Sequence, residues 1–252
     1  MIEVTPDVLA LLLAVAFFAG FVDAIAGGGG LITVPVLIIA GAPPLTAIAT
    51  NKVQAVFGAG MAAYSYGRAG HVDLRRQFWV ALLALGAGGA GALLTSTLPT
   101  QLIRIALPVL LVAIALFFAF KPGLNDIDRT ARMGPLVFSL SIVPLVGFYD
   151  GLIGPGAGAF YMIGFVALAG YGVLKATAHT KLLNFSSNFG GLLVYALVAS
   201  PWWITGLLMG FAQMAGAYVG ARMAMRIGSR LIKPLLVASA SVLAAKLIWD
   251  LI

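Results

Sequence analysis

Cysteine is absent from the sequence, and charged residues make up only 9% of its 252 positions. Without cysteine the chain forms no disulfide and no thiolate metal site. A soluble domain carries roughly 25% charged residues, far more than this chain. Hydrophobic residues account for 62% of the chain and fall in long runs without charge, many of which reach the ~18–20 residues that cross a bilayer. The composition therefore predicts a multi-pass membrane protein.

The spanning elements are predicted to be helices. Lipid offers no partner for backbone amides, so only α-helices and closed β-barrels cross it, and these runs lack the alternation of barrel strands. We expect an all-α protein with a single membrane domain over residues 1–252. The first apolar run leads into glycines rather than a cleavage site, which predicts that it stays in the mature chain. The net charge of +7 is typical of basic cytoplasmic loops and does not indicate nucleic-acid binding.

An internal repeat divides the chain into halves. The segment GFVDAIAGGGG resembles GFYDGLIGPGAG, which matches Asp23 with Asp150. Further on, GAPPLTAIATNK resembles GYGVLKATAHTK, which matches Lys52 with Lys181. Repeats of this kind are common in secondary transporters, where they often mark the binding site. The predicted repeats are residues 1–125 and 126–252.

Each half is predicted to contain a hairpin of two helical arms broken by glycine, followed by three transmembrane helices. The second arm of each hairpin is too short to span a bilayer alone. The arms are expected at 8–26 and 31–41 and at 134–152 and 158–170, and the helices at 45–66, 77–97, 100–120, 174–198, 202–224 and 230–250.

The distribution of basic residues predicts the orientation. The connections at 67–76, 121–132 and 222–233 hold ten of the fifteen Lys and Arg residues, so they are placed in the cytoplasm. This placement requires three crossings per half, with each broken hairpin returning to the side where it began. The halves are then inverted, and both termini lie outside. If each broken hairpin instead crosses fully, the halves are parallel.

The glycine breaks themselves predict a binding site. Glycine disfavours helix, and irregular backbone at membrane depth survives only when it is buried in protein or lines a wet cavity. A short helix that begins after such a break points its free N–H groups into the cavity and favours an anion. The predicted break residues are Gly27, Gly28, Gly29, Gly30, Gly154, Pro155 and Gly156.

The alternative is that glycines serve close helix packing, which we favour for GAGGAGA at 86–92. A dinucleotide or P-loop reading fails because no strand, downstream acid or Walker lysine accompanies the glycines, so no cofactor is expected.

Each half also carries one acid and one lysine deep in an apolar helix. An ionisable group at this depth is expensive and either lines a pathway or is paired. One reading has Lys52 and Lys181 attracting an anion while Asp23 or Asp150 carries a proton. The other has Asp–Lys bridges that only hold the repeats together.

Amides accompany both lysines along a helix face. Asn51, Gln54 and Gly58 stand at i, i+3 and i+7, and Lys181, Asn184 and Asn188 have the same spacing. A polar stripe in a membrane helix faces partner helices or water, and one stripe per half favours a shared central cavity. Asn and Gln donors suit an oxyanion because they add no charge.

These paired motifs resemble the TauE/SafE sulfite exporter family over nearly the whole chain, through the D-x-x-x-G-x-G segment of each half and the lysine segments TNK in the first half and HTKLLN in the second. The resemblance implies a bacterial or archaeal inner-membrane transporter of small sulfur-containing or organic anions that works without ATP. The matching positions are Asp23, Gly27 to Gly30, Asn51 and Lys52, and in the second half Asp150, Gly154, Pro155, Gly156, Lys181 and Asn184. Ala157 departs from the pattern, standing where the first break has Gly30.

The expected function is secondary transport of a small oxyanion with proton coupling by alternating access, with anion, protons and lipid as partners and no metal. A passive anion channel is the nearest alternative. A membrane-embedded enzyme is the other, but the chain has no cysteine and two distant histidines, from which no nucleophile or metal cluster can be assembled. The oligomeric state is left open, including a homo-oligomer.

Overall fold

The computed structural model describes residues 3–99, 101, 126–228 and 230 of the chain. Within these residues the protein is all-helical, with eight α-helices and no β-strand. All eight begin and end within three residues of the predicted bounds. The predicted helices at 100–120 and 230–250 lie outside the described residues, apart from residues 101 and 230. The helices are α1 Pro6–Ala26, α2 Gly29–Ile39, α3 Pro44–Arg68, α4 Phe78–Thr97, α5 Pro135–Leu152, α6 Ala157–Ala167, α7 Val173–Val198 and α8 Trp203–Ile227.

The polarity of the helices is that of a membrane protein. In the described part of the chain, α1, α4, α5 and α8 are long and apolar enough to cross a bilayer. Large apolar side chains face outward, with Trp79 74% exposed and Leu197 86% exposed. The long helices α3 and α7 pack against each other and bury polar side chains, including Lys52 and Lys181. Polar groups therefore lie inside the assembly and apolar groups on its surface, where lipid is the solvent.

Both predicted glycine breaks are present, but Gly29 and Gly30, which were predicted as part of the first, already belong to α2. Gly27 and Gly28, between α1 and α2, have φ of 80° and 95°. Gly154 and Gly156, between α5 and α6, have φ of 96° and 87°. Residues with a Cβ rarely adopt these angles, so glycine is what allows the chain to leave one helix and start another within two to four residues.

Each short helix ends beside the segment that precedes its long partner. Ala40, just after α2, lines a surface cleft together with Glu3, just before α1. Leu168, just after α6, accepts backbone hydrogen bonds at 2.8 and 3.0 Å from Arg132 and Met133, just before α5. The two arms of each hairpin therefore run back along each other.

The helices of the two halves pack crosswise. α1 of the first half packs against α8 of the second, and α5 of the second packs against α4 of the first. A Cβ on Gly20 would lie 2.1 Å from the carbonyl oxygen of Gln213 on α8, and a Cβ on Gly91 would lie 2.0 Å from that of Phe148 on α5. A Cβ on Gly88 would lie 2.2 Å from a carbonyl oxygen of α7. These contacts support the predicted packing role for Gly88 and Gly91 in the segment 86–92, whereas a Cβ on Gly86 would meet nothing within 4 Å.

The described parts of the three basic connections lie at one end of the protein. Gln77, after α3, donates a hydrogen bond to the carbonyl oxygen of His179 near the start of α7, at 3.4 Å. Asp128, before α5, accepts one at 2.7 Å from the N–H just before α7. The end of α8 reaches the same region, because a Cβ on Gly228 would lie 2.7 Å from Asp126. The Lys175 ammonium, which bonds to Asp128 at 2.6 Å, lowers the pKa of that carboxyl.

Candidate functional site

A small internal cavity lies where the two glycine breaks meet. Its volume is about 20 Å³, enough for about one water molecule. Nine of its thirteen lining residues belong to the predicted site. In the described part of the chain no three His, Cys, Asp or Glu side chains come together as metal ligands. The lining consists of Asp23, Gly28, Gly29, Gly30, Asn51, Ala55, Gly154, Gly156, Ala157, Gly158, Asn184, Asn188 and Gln213.

The two breaks are in direct contact beside this cavity. A Cβ on Gly27 would lie 2.5 Å from the amide nitrogen of Ala159, and a Cβ on Gly158 would lie 3.3 Å from the Cα of Gly27. A Cβ on Gly30 would lie 3.3 Å from the Cα of Pro155. Only glycine lets two backbones approach so closely, so the sequence of both breaks is what brings α2 and α6 together.

The helix starts of α2 and α6 direct N–H groups toward the cavity. At α2, the N–H of Gly29 donates to Asp23 Oδ1 at 3.0 Å. At α6, the N–H of Ala159 donates to a carbonyl oxygen of its own turn at 3.0 Å. The N–H groups of Gly30 and Gly158 have no partner among the described residues. Unpaired N–H groups and the positive end of the helix dipole favour negative charge at both places.

The side chain of Asn51 adds a donor to the cavity. Its Oδ1 accepts hydrogen bonds from Thr33 Oγ1 at 2.7 Å and from Gln54 Nε2 at 3.2 Å. Its Nδ2 is the amide atom nearer to the break, 3.2 Å from where a Cβ on Gly30 would stand, against 3.6 Å for Oδ1. Because an amide oxygen that accepts two bonds fixes the orientation of the group, Asn51 presents its NH₂ to the lining.

Asn184 provides a second amide donor from α7. Its Oδ1 accepts from Asn188 Nδ2 at 3.2 Å. Its Nδ2 lies 3.4 Å from where a Cβ on Gly158 would stand and has no partner among the described residues. Asn184 is 5% exposed. One amide from α3 and one from α7 therefore offer donors to the same space.

Lys52 and Asp150 form a buried ion pair between the two halves. Lys52 Nζ donates to Asp150 Oδ1 at 2.6 Å, to the Asp150 carbonyl oxygen at 2.5 Å and to Asn188 Oδ1 at 3.1 Å. Asp150 Oδ2 accepts from Asn188 Nδ2 at 2.9 Å and from Ser187 Oγ. The two charged side chains are 0% and 1% exposed. A buried pair of this kind is stable because further hydrogen bonds satisfy both charges.

Lys181 and Asp23 have a different relationship. Lys181 Nζ donates to the backbone carbonyl oxygen of Asp23, and no ion pair of Lys181 is present among the described residues. The carboxylate of Asp23 instead caps α2 through the N–H of Gly29. Because Asp23 lines the cavity and Asp150 does not, the two matched acids occupy unlike environments.

Six predicted site residues lie outside the lining. Gly27 and Pro155 form the contact between the breaks, and Gln54 bonds to Asn51. The two lysines and Asp150 lie behind the lining. The Asp–Lys bridge that the sequence left open as an alternative is present between Asp150 and Lys52. The predicted roles of the whole set in substrate and proton binding stay predictions.

Gln213 on α8 lines the cavity and was missed in the sequence. Its side chain is 2% exposed and fills space left by Gly58, whose Cβ would lie 2.8 Å from Gln213 Nε2. Its Oε1 has no hydrogen-bond partner in the described part of the protein. The available signal was an uncharged amide in the middle of a long apolar run, which a search for charges passes over.

Comparison with known proteins agrees with this architecture. The family model described as sulfite exporter TauE/SafE matches residues 12–247. A probable membrane transporter protein, ORF9, of Sinorhizobium sp is 52% identical over 242 residues, which cover 96% of this chain and 93% of the relative. The probable membrane transporter protein YfcA of Escherichia coli is 43% identical over 247 residues, 98% of this chain and 92% of the relative. The probable membrane transporter protein YdhB of Bacillus subtilis is 23% identical over 222 residues, 85% and 88% of the two chains. No solved structure matches the chain.

Proposed function

The chain belongs to the sulfite exporter TauE/SafE family of membrane transporters, and from this premise we propose that it moves a small oxyanion across the plasma membrane with proton coupling. The substrate is sulfite, a sulfonate or a related organic or sulfur oxyanion. The observation that carries the proposal is the cavity between the two glycine breaks, where backbone and amide donors converge.

The donors of the cavity suit an anion with several oxygens. The N–H groups of Gly30 and Gly158 and the amides of Asn51 and Asn184 provide hydrogen bonds from four directions without adding a formal charge. The proposed binding residues are the predicted set, which is Gly27, Gly28, Gly29, Gly30, Asn51, Lys52, Gln54, Gly154, Pro155, Gly156, Lys181, Asn184 and Asn188, with Asp23 and Asp150 as candidates for proton coupling.

Two inverted repeats, residues 1–125 and 126–252, are part of the proposal. Matched residues make matched contacts: Lys52 bonds to the carbonyl oxygen of Asp150, and Lys181 to that of Asp23. The helix packing is matched in the same way, because the long hairpin helix of each half packs on a helix of the other half, α1 on α8 and α5 on α4. The hairpins return to opposite ends of the protein, α2 to the end of Glu3 and α6 to the end with the basic connections. Inverted repeats with re-entrant arms account for all three observations.

Alternating access follows from this arrangement. A cavity of about 20 Å³ is smaller than an oxyanion, so the two breaks must separate slightly to admit one. Movement of one repeat against the other would separate Gly27 from Gly158 and open the site to one side at a time. The concentration of basic residues in the connections favours a cytoplasmic position for them, with both termini outside.

Transport by purified protein in proteoliposomes tests the proposal. Uptake of labelled sulfite, sulfate, thiosulfate, sulfoacetate or methanesulfonate is expected to be saturable and to be accelerated by an internal load of the same anion. The variant Asn184→Leu, which keeps the volume but removes the donor, is expected to lower the uptake at least about tenfold, the loss of one hydrogen bond to a charged group. Ser141→Ala, on the exposed face of α5, is the matched control.

Two outcomes would contradict the proposal. Single-channel currents without saturation would indicate a passive pore. Equal uptake by Asn184→Leu and the parent protein would place the anion somewhere other than this cavity.

A further inference from the structure

We propose that Asp23, and not Asp150, carries the coupled proton, because its carboxylate is a tethered anion at the start of α2 while the substrate anion binds at the start of α6. The inference rests on the proposed function and assigns unlike roles to the two matched acids. It makes the coupling one proton per anion.

Asp150 is poorly placed to exchange a proton during transport. Both carboxylate oxygens are engaged, Oδ1 by the Lys52 ammonium and Oδ2 by Ser187 and Asn188. The residue is 1% exposed and does not line the cavity. Protonation would remove the charge that compensates Lys52 and leave a buried ammonium without its partner, so the pair is expected to stay charged.

Asp23 has the opposite properties. It lines the cavity, and among the described residues its carboxylate accepts one hydrogen bond, from the N–H of Gly29 at 3.0 Å. The charged and titratable groups around it are few. Lys181 on α7 donates to its backbone carbonyl oxygen, Tyr66 on α3 donates to the carbonyl oxygen of Ala24, and Asp150 repels it from α5. The side chain that α8 presents to the cavity is the neutral Gln213, and α2 and α6 contribute backbone only.

The start of α6 is the free anion position. At α2 the N–H of Gly29 already holds the Asp23 carboxylate. At α6 the N–H of Gly158 has no partner in the described residues, and the unpartnered Nδ2 of the buried Asn184 lies beside it. An anion that bridges Gly158 and Asn184 also comes within reach of Asn51 Nδ2, because the two breaks are in contact.

Charge balance then links the anion to a proton. The four deep ionisable side chains, Asp23, Lys52, Asp150 and Lys181, sum to zero when all are charged. A singly charged anion adds one negative charge close to the Asp23 carboxylate, in a buried site where water screens the two charges poorly. Protonation of Asp23 removes the repulsion between like charges and restores neutrality. The neutral carboxyl can then donate a hydrogen bond to the anion and keep its proton.

Binding measured as a function of pH tests the inference. Methanesulfonate, which carries one negative charge, and sulfate, which carries two, serve as probes, because neither titrates between pH 5 and 8; the one-proton linkage is expected for methanesulfonate. Titration calorimetry of the full chain in detergent with methanesulfonate is expected to show an affinity that rises about tenfold for each unit by which the pH falls, the linkage of one proton taken up on binding. Asp23→Asn keeps the bond to Gly29 and is expected to bind the same probe with an affinity that does not depend on pH.

A second readout separates proton coupling from binding. In proteoliposomes with an internal pH dye, the parent protein is expected to move protons with the anion. Asp23→Asn is expected to exchange anion for anion without moving protons. Asp150→Asn is expected to keep the pH dependence if it folds, and Ser187→Ala, which removes one donor from Asp150, gives the same comparison without breaking the ion pair.

Each outcome decides between the claims. A pH dependence that persists in Asp23→Asn, or that disappears in Ser187→Ala, overturns the assignment to Asp23. Anion binding by the parent protein that does not change with pH overturns the coupling but leaves transport standing. Failure of the parent protein to bind either probe or any other oxyanion removes the proposed function and the inference with it.

Discussion

Removal of the Lys52 ammonium should destabilise the protein strongly, unless the Asp150 carboxylate is removed with it. Lys52 is fully buried, and its Nζ has three oxygen partners between 2.5 and 3.1 Å. In Lys52→Met the carboxylate of Asp150 keeps only its bonds from Ser187 and Asn188 and becomes an uncompensated buried charge. Loss of one partner of a buried pair costs about 3–5 kcal/mol. Asp150→Asn leaves the buried ammonium without its counter-charge and should cost a similar amount.

The double variant separates the ion pair from the general loss of packing. Lys52→Met with Asp150→Asn removes both charges, and replacement of a whole buried pair is often nearly neutral. We expect it to lie within about 2 kcal/mol of the parent protein, where independent effects would sum to roughly 6–10 kcal/mol. Equilibrium unfolding in mixed micelles of mild detergent and dodecyl sulfate measures the three differences. Additive losses, or a Lys52→Met variant as stable as the parent, would refute the pairing.

Three further predictions use the same contacts. Lys181→Met should lower the free energy of unfolding by about 1–3 kcal/mol in the same assay, less than Lys52→Met, because the carbonyl oxygen of Asp23 still accepts the N–H of Gly27. Equal losses of stability in the two variants would mean that both lysines are ion-paired. Gly158→Ala should lower anion affinity about tenfold or more in calorimetry by filling the cavity, whereas Gly86→Ala, with nothing within 4 Å of its Cβ, should bind normally and gain up to about 1 kcal/mol of stability. Residues 126–252 expressed alone should fail to give a monodisperse protein on size-exclusion chromatography, because α5 loses α4 and Asp150 loses Lys52, and co-expression with residues 1–125 should restore it.

The element order could be predicted because its signals are local. Proline stands at the first position of α1, α3 and α5, where the missing N–H costs nothing, and glycines end α1 and start α2. The crosswise packing is not a local property. A glycine such as Gly91 indicates that some backbone comes close, but which helix supplies that backbone depends on the whole assembly.

The sequence predicted which segments contribute residues to the site, but not which atoms those residues contact. The repeat predicted that both breaks and both lysine helices contribute to one place, and the cavity lining includes residues of all four. Whether a lysine binds a carboxylate or a carbonyl oxygen depends on shifts of about 1 Å, so the matched residues Lys52 and Lys181 could not be told apart from the pattern. Gln213 was not predicted as a site residue, because a single uncharged amide in an apolar run is a weaker signal than a charged residue.

The way in which each break satisfies its backbone explains why the site would favour anions. A broken helix leaves carbonyl oxygens at the end of one arm and N–H groups at the start of the next. Side chains of α3 and α7 donate hydrogen bonds to the carbonyl oxygens at the carbonyl end of each break. At the end of α5 the donors are Lys52 and Tyr195. At the end of α1 they are Lys181 and Tyr66. The N–H ends instead face the cavity, and one of them is already held by an acid of the same chain. The backbone acceptors of both breaks are therefore occupied, whereas an anion finds backbone donors that the fold has left open. The lysines thus contribute to the selectivity of the proposed site, because they occupy carbonyl oxygens that would otherwise compete with the anion for N–H donors.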